Sequence, residues 1–152
     1  MADESGRSLI EMLAVLAIGA VMTAAAYGTY KMLRTNQTRN LALNEMEQIA
    51  RNTKILLETR GDYNGVSVDY LIKAGAITNP DAPIGDENWS ITSSVDGKTF
   101  SINLTNLTHS DCSYFATKKI SWAKSVSVNG LENAGGETCI SAPRNYISIN
   151  VE

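Results

Sequence analysis

A chain of 152 residues has room for one long helix and one modest domain, which argues against a multidomain enzyme. Its net charge of −3 at pH 7 and isoelectric point near 5.2 mean that a nucleic-acid interface would need a locally basic surface. The nearest thing to one, Lys118, Lys119 and Lys124, reads as a solvated helix face, and no nucleic acid is expected as a partner.

The mean hydropathy of −0.12 averages two unlike parts, because apolar residues crowd into the first 30 positions and the remainder is rich in Ser, Thr, Asn and Gly. Residues 1–6 carry Asp3 and Glu4 but no Lys or Arg. Glu11 then directly precedes an uncharged run from Met12 to Tyr30. As a helix that run spans about 28 Å, close to the hydrocarbon thickness of a bilayer. A carboxylate costs about 2.5–3.5 kcal/mol at the centre of a spanning helix and less near its end, so Glu11 calls for a function. A cleaved secretory signal ending near Ala24-Ala25-Ala26 is the competing reading. The acidic leading residues argue against it, as does the helical pattern that continues past the run.

From Lys31 to Thr59 there is no Gly or Pro. Leu43, Met46, Ala50 and Leu57 fall on one stripe, widened by Ala42, Ile49 and Leu56, with Arg39, Asn40, Glu47, Arg51, Asn52 and Lys54 on the opposite face. One helix from about Ser8 to Thr59, stopped by Gly61, would be about 78 Å long. Ala14, Ala17, Gly19, Ala20, Ala24 and Gly28 are small residues that let helix backbones approach closely where burial from water supplies no driving force.

Past Gly61 the texture is that of a small mixed domain. Ser67–Ala74 reads as a short helix ended by Gly75, and Asn79–Pro83 as a loop. Trp89–Val95 and Thr99–Leu104 alternate around Asp96-Gly97, a hairpin signal. Thr108 with Asp111 three residues on marks a helix start, giving a helix near Ser110–Lys119. Lys124–Val128 reads as a strand with an Asn129-Gly130 turn, Glu132–Thr138 as an aperiodic exposed loop, and Tyr146–Val151 as the last strand.

Cys112 and Cys139 are a disulfide, a reactive thiol with a bystander, or two buried thiols. A single His and no Cys-x-x-Cys speak against a zinc or thioredoxin-like site, so no metal and no cofactor is expected. The disulfide is the favoured reading, and it implies an oxidising compartment. His109 has no nucleophile around it, and Ser110 and Asp111 read as capping residues. Glu45, Glu47 and Glu58 are spaced for solvent and salt bridges, and Trp89 and Trp122 read as core or rim aromatics. No catalytic residues are identified, and an enzyme is not expected.

These residues together resemble a type IV pilin over nearly the whole chain. In that family a short leader ends in Gly and a mature terminus carries an acid at its fifth position; here Gly6 would end the leader, Arg7 would be the new terminus and Glu11 the fifth residue. The Ser-Leu-Ile-Glu core is similar to the bundle-forming and toxin-coregulated pilins of the type IVb branch. Leu104–Cys112 resembles the segment in which such pilins place the first cysteine of their disulfide, pointing to a Cys112–Cys139 bond. Arg7 departs from the hydrophobic residue usual there, residues 1–6 from the basic leader usual there, and Lys31 and Arg34 flank the outer end of the apolar run.

The resemblance implies an α+β fold: a long N-terminal helix with a hydrophobic protruding half, packed by its C-terminal half on a small antiparallel sheet domain. The expected segments are a leader (1–6), a membrane or filament-core helix (7–30), its amphipathic half (31–60) and a globular head (61–152). The resemblance further implies cleavage between Gly6 and Arg7 by a prepilin peptidase, and an assembly salt bridge involving Glu11 and Arg7. Implied partners are other copies of the chain in a helical homopolymer, an inner-membrane assembly platform, and the membrane before assembly. The implied location is the bacterial inner membrane and then an extracellular pilus. A minor pilin or secretion pseudopilin, and a signal-anchored module that never polymerises, are the alternatives.

Overall fold

The structure is a computed structural model that describes the backbone of residues 2–85 and 87–152 and the side chains of residues 8–85 and 87–152. Helix α1 runs over Ala2–Glu58, and the chain divides into two compact units, Met1–Gln37 and Thr38–Glu152. In the first unit Leu, Ile, Val, Met and Tyr side chains from Leu9 to Leu33 are 57–70% exposed. Its Thr hydroxyls are satisfied within the helix: Thr23 donates to the Gly19 carbonyl at 2.7 Å, Thr29 to Ala25 at 2.9 Å and Thr35 to Lys31 at 3.0 Å.

The second unit begins on the same helix, where periodicity returns. Ala42, Met46, Ile49, Ala50, Thr53 and Leu57 are buried, with Leu43 and Leu56 half-buried beside them. The stripe therefore centres on Met46, Ile49 and Thr53, with Leu43 at its margin. Thr53 is a polar member that hydrophobic periodicity does not register.

That stripe packs on a five-stranded antiparallel sheet with strand order β1-β2-β5-β3-β4: β1 (Ser90–Ser93), β2 (Phe100–Leu107), β3 (Ser125–Val128), β4 (Leu131–Glu132) and β5 (Asn145–Val151). Phe100, Ile102 and Leu104 of β2 and Ile147, Ile149 and Val151 of β5 alternate into the core at 0–1% exposure. Helix α2 (Val68–Lys73) is capped by Ser67, whose hydroxyl accepts from the Tyr70 amide. Helix α3 (His109–Thr117) is capped by Thr108, whose hydroxyl accepts from the Asp111 amide while donating to the Asp111 carboxylate.

Two segments differ from the sequence expectation. Strand β2 continues past Leu104 to Leu107 through a register shift, with Asn106 at φ 54°, so Leu104 and Leu107 are both buried three residues apart and the alternation breaks. Glu132–Thr138 is not a loop throughout: the Asn129-Gly130 turn (φ 49° and 89°) folds β4 back on β3, and Gly136–Thr138 forms a 3₁₀ turn against α3. Pieces of two and three residues are too short to show a period.

The loop before β1 depends on Gly85. Its φ is +87°, and a Cβ there would sit 2.2 Å from the Thr105 carbonyl oxygen. Glu87 then anchors the same loop by accepting from the Thr105 hydroxyl and the Asn106 amide at 2.5 and 2.6 Å. Backbone cannot yield as a flexible side chain would, so Gly85→Ala is expected to destabilise the domain by more than about 2 kcal/mol, read as a lower urea midpoint at unchanged m-value.

Candidate assembly site

Glu11 is the one formal charge between residues 8 and 30, and its side chain is exposed on the single-chain helix. Gly6 and Arg7, the expected cleavage pair, lie outside the residues whose side chains are described. An 18-residue window of the helix reaches a mean hydropathy of 2.2 with none of it buried, long and apolar enough to cross a membrane.

The small residues do not all share a face. At ~100° per residue Ala17, Ala20, Ala24 and Gly28 line one stripe, Ala14 flanks it and Gly19 sits across the helix. Glu11 projects roughly 135° away from the centre of that stripe, on the face of Ile18, Met22, Ala25 and Thr29. An added Cβ on Gly19 or Gly28 would meet nothing within 4 Å, so no contact within the chain requires either glycine. The helix thus presents a stripe of small residues and, on a different side, a carboxylate.

In the second unit Cys112 of α3 and Cys139 are joined as a disulfide, 27 residues apart with Cα atoms 6.0 Å from each other. Both are buried, at 0 and 7% exposure. A bridge closing a loop of that size stabilises by about 3 kcal/mol in the chain-entropy model. It ties α3 to the segment that leads into β5. The His109 ring Nδ1 lies 3.1 Å from the Cys139 carbonyl, on the same seam.

Sequence reading missed the groups that hold this seam. Asn145, fully buried, donates to the carbonyls of Leu107, Ile140 and Ala142 at 2.9–3.1 Å and accepts from the Ile140 amide and the Asn129 side chain at 2.7 and 3.0 Å. Asn129 also accepts from the Tyr146 amide. Neither Asn stands in an apolar pattern, and only the Asn129-Gly130 turn signal pointed to this region.

Arg39 is a correction. Expected on the solvent face, its guanidinium is mostly buried: Nε donates to Asp111 at 2.8 Å, Nη2 donates to the Ser110 hydroxyl at 2.7 Å, and the group lies 4.9 Å from the Tyr114 ring centroid. Ser110 is therefore an acceptor for Arg39 and not a cap, while Asp111 both completes the cap and pairs with Arg39. Asn52, likewise placed on the solvent face, donates to the Ala76 carbonyl at 2.6 Å. Glu47 pairs with Arg51 one turn on, Trp89 is buried and Trp122 half-buried.

Comparison with known proteins adds two findings. The prokaryotic N-terminal methylation motif matches residues 1–27. The fold is similar to the crystal structure of TcpA, a type IV pilin from Vibrio cholerae El Tor biotype, with a TM-score of 0.64 and 14% identity over 76% of this chain and 99% of that one. No curated protein matches the sequence.

The Arg39–Asp111 pair is open to measurement. Because the two side chains are only 13 and 15% exposed, Arg39→Ala or Asp111→Ala is expected to lower unfolding free energy by about 1–3 kcal/mol. A double-mutant cycle should return a coupling of about 1 kcal/mol or more.

Proposed function

We propose that this chain, which has the type IV pilin fold and carries the N-terminal methylation motif, is the major structural subunit of a type IVb-like pilus. The observation that carries the reading is the single carboxylate, Glu11, at the head of an otherwise uncharged helical stretch whose side chains are exposed along its length.

A prepilin peptidase cleaves after Gly6, and the precursor waits in the bacterial inner membrane with Met12–Tyr30 in the bilayer. The assembly platform then transfers the helix into a filament, where neighbouring copies replace lipid. A lone carboxylate in that apolar core is penalised, and one paired with the new amine of a neighbour's Arg7 is compensated. The pair thereby rewards one axial register over those that leave Glu11 without a cation. Arg7's own side chain supplies a second positive group near the same place.

Cohesion comes from the Ala17–Gly28 stripe, where small side chains bring backbones close enough for dispersion to accumulate. Since that stripe and Glu11 point to different sides of α1, each helix engages separate neighbours for packing and for register. The Thr hydroxyls, bonded within the helix, add no unsatisfied group to the apolar core. The head domains form the outer surface, and the disulfide suits them to an oxidising exterior.

Replacing Glu11 is the direct test. Glu11→Ala is expected to abolish or sharply reduce filaments seen by electron microscopy while leaving the head folded and its disulfide formed. The mature subunit should have a mass that starts at Arg7. Undiminished filaments from Glu11→Ala, or an intact Met1 on assembled subunits, would refute the mechanism.

A further inference from the structure

The loop that leads into β5 carries apolar side chains on the outside of the head. Ile140, Ser141, Ala142, Pro143 and Arg144 are all exposed, and so is Tyr146 just beyond them. Yet the backbone is fastened from within: Cys139 closes the disulfide, and the buried Asn145 side chain bonds the Ile140 amide and the carbonyls of Ile140 and Ala142. A loop tied inward by its backbone keeps its side chains out. Ile140, Ala142 and Pro143 therefore form a fixed apolar tip whose burial would still be favourable.

The tip carries an uncommitted cation. Arg144 makes no side-chain hydrogen bond or ion pair among the described residues, and no acid occurs between Thr138 and Val151. Of the acids nearby, Asp111 is paired with Arg39, Glu132 is bonded to Ser125, and Glu137 precedes the disulfide.

A series of contacts puts this loop at the end of the head where α1 enters it. Arg39, the second residue of the unit, holds Ser110 and Asp111; His109 beside them lies 3.1 Å from the Cys139 carbonyl. The other end of the head is marked by the β1–β2 hairpin, where the Tyr63 amide, just past α1, donates to the Gly97 carbonyl and Val95 is fully exposed. Thr38 stands eight residues after Tyr30, so at most ~28 Å of chain separates the entry end from the apolar run. A tether that short makes an encounter with the surrounding bilayer intramolecular, at an effective concentration no separate partner has.

The side chains suit that surface. A Tyr ring sits at headgroup level with its hydroxyl in water, Arg gains from anionic headgroups, and Ile and Pro gain from the edge of the hydrocarbon. We propose, resting on the membrane-held precursor of the proposed function, that Ile140–Arg144 with Tyr146 is a lipid contact that seats the head on the bilayer holding Met12–Tyr30.

The test uses the full chain in vesicles of phosphatidylcholine and phosphatidylglycerol whose brominated acyl chains quench indole emission on contact. Flotation first measures whether the vesicles hold the chain. Ile140→Trp should then be quenched, while Val95→Trp, at the other end of the head, should add no quenching to that of the native Trp89 and Trp122. Adding Arg144→Glu to Ile140→Trp should lower the ratio of seated to free heads about fivefold, as should omitting phosphatidylglycerol. Circular dichroism and an intact disulfide should hold in every variant, separating loss of contact from loss of fold. A chain that does not float with the vesicles overturns the membrane-held precursor and this contact together. A chain that floats but quenches Ile140→Trp no more than Val95→Trp, or that ignores Arg144→Glu, overturns the contact alone. So does an Ile140→Trp shielded from aqueous iodide yet unquenched by lipid, which would identify another copy as the occupant.

Discussion

One hydrogen-bonded helix has to satisfy two environments, and most of the structure follows from that constraint. A helix closes its own backbone bonds, so it is equally at home in lipid, in a bundle of copies and against a sheet. What changes along α1 is the side-chain pattern: uncharged all round from Met12 to Tyr30, then amphipathic from Ala42 to Leu57. The second pattern supplies the face that the sheet covers. The first leaves its side chains exposed on the single chain.

Within Thr38–Glu152 the division of labour is between dispersion and a few polar clamps. The inner rows of β2 and β5 against Met46, Ile49 and Leu57 make a conventional core. The connections around it are long relative to their strands, and polar groups hold them. Arg39 joins the start of the packed part of α1 to α3, the disulfide joins α3 to the segment before β5, and Asn145 fastens that segment to the end of β2. A buried amide that satisfies three carbonyls does what a short hydrophobic segment could not, because the exposed turn it holds offers backbone groups and little apolar area.

The outward sheet face shows how a surface can be polar without being merely solvated. Its hydroxyl and amide protons are largely spent on side chains of neighbouring strands, which fixes their directions.

The sequence by itself determined what depends on local pattern or on composition: the length and continuity of α1, the apolar run with its single acid, the capped α3 and the hairpin around Asp96-Gly97. Period, caps and turn residues are short-range, so they can be read without knowing what they touch. The tertiary structure alone decided the places of Arg39, Asn145 and Thr53, the bulge that carries β2 to Leu107, and the short β4. Arg39 and Asn145 depend on partners 72 and 38 residues away, Thr53 on being covered by the core, and the bulge on Asn106 taking a positive φ, while β4 is too short to show a period. Polar side chains look alike in a sequence whether they face water or a buried carbonyl, and only the packed chain distinguishes the two.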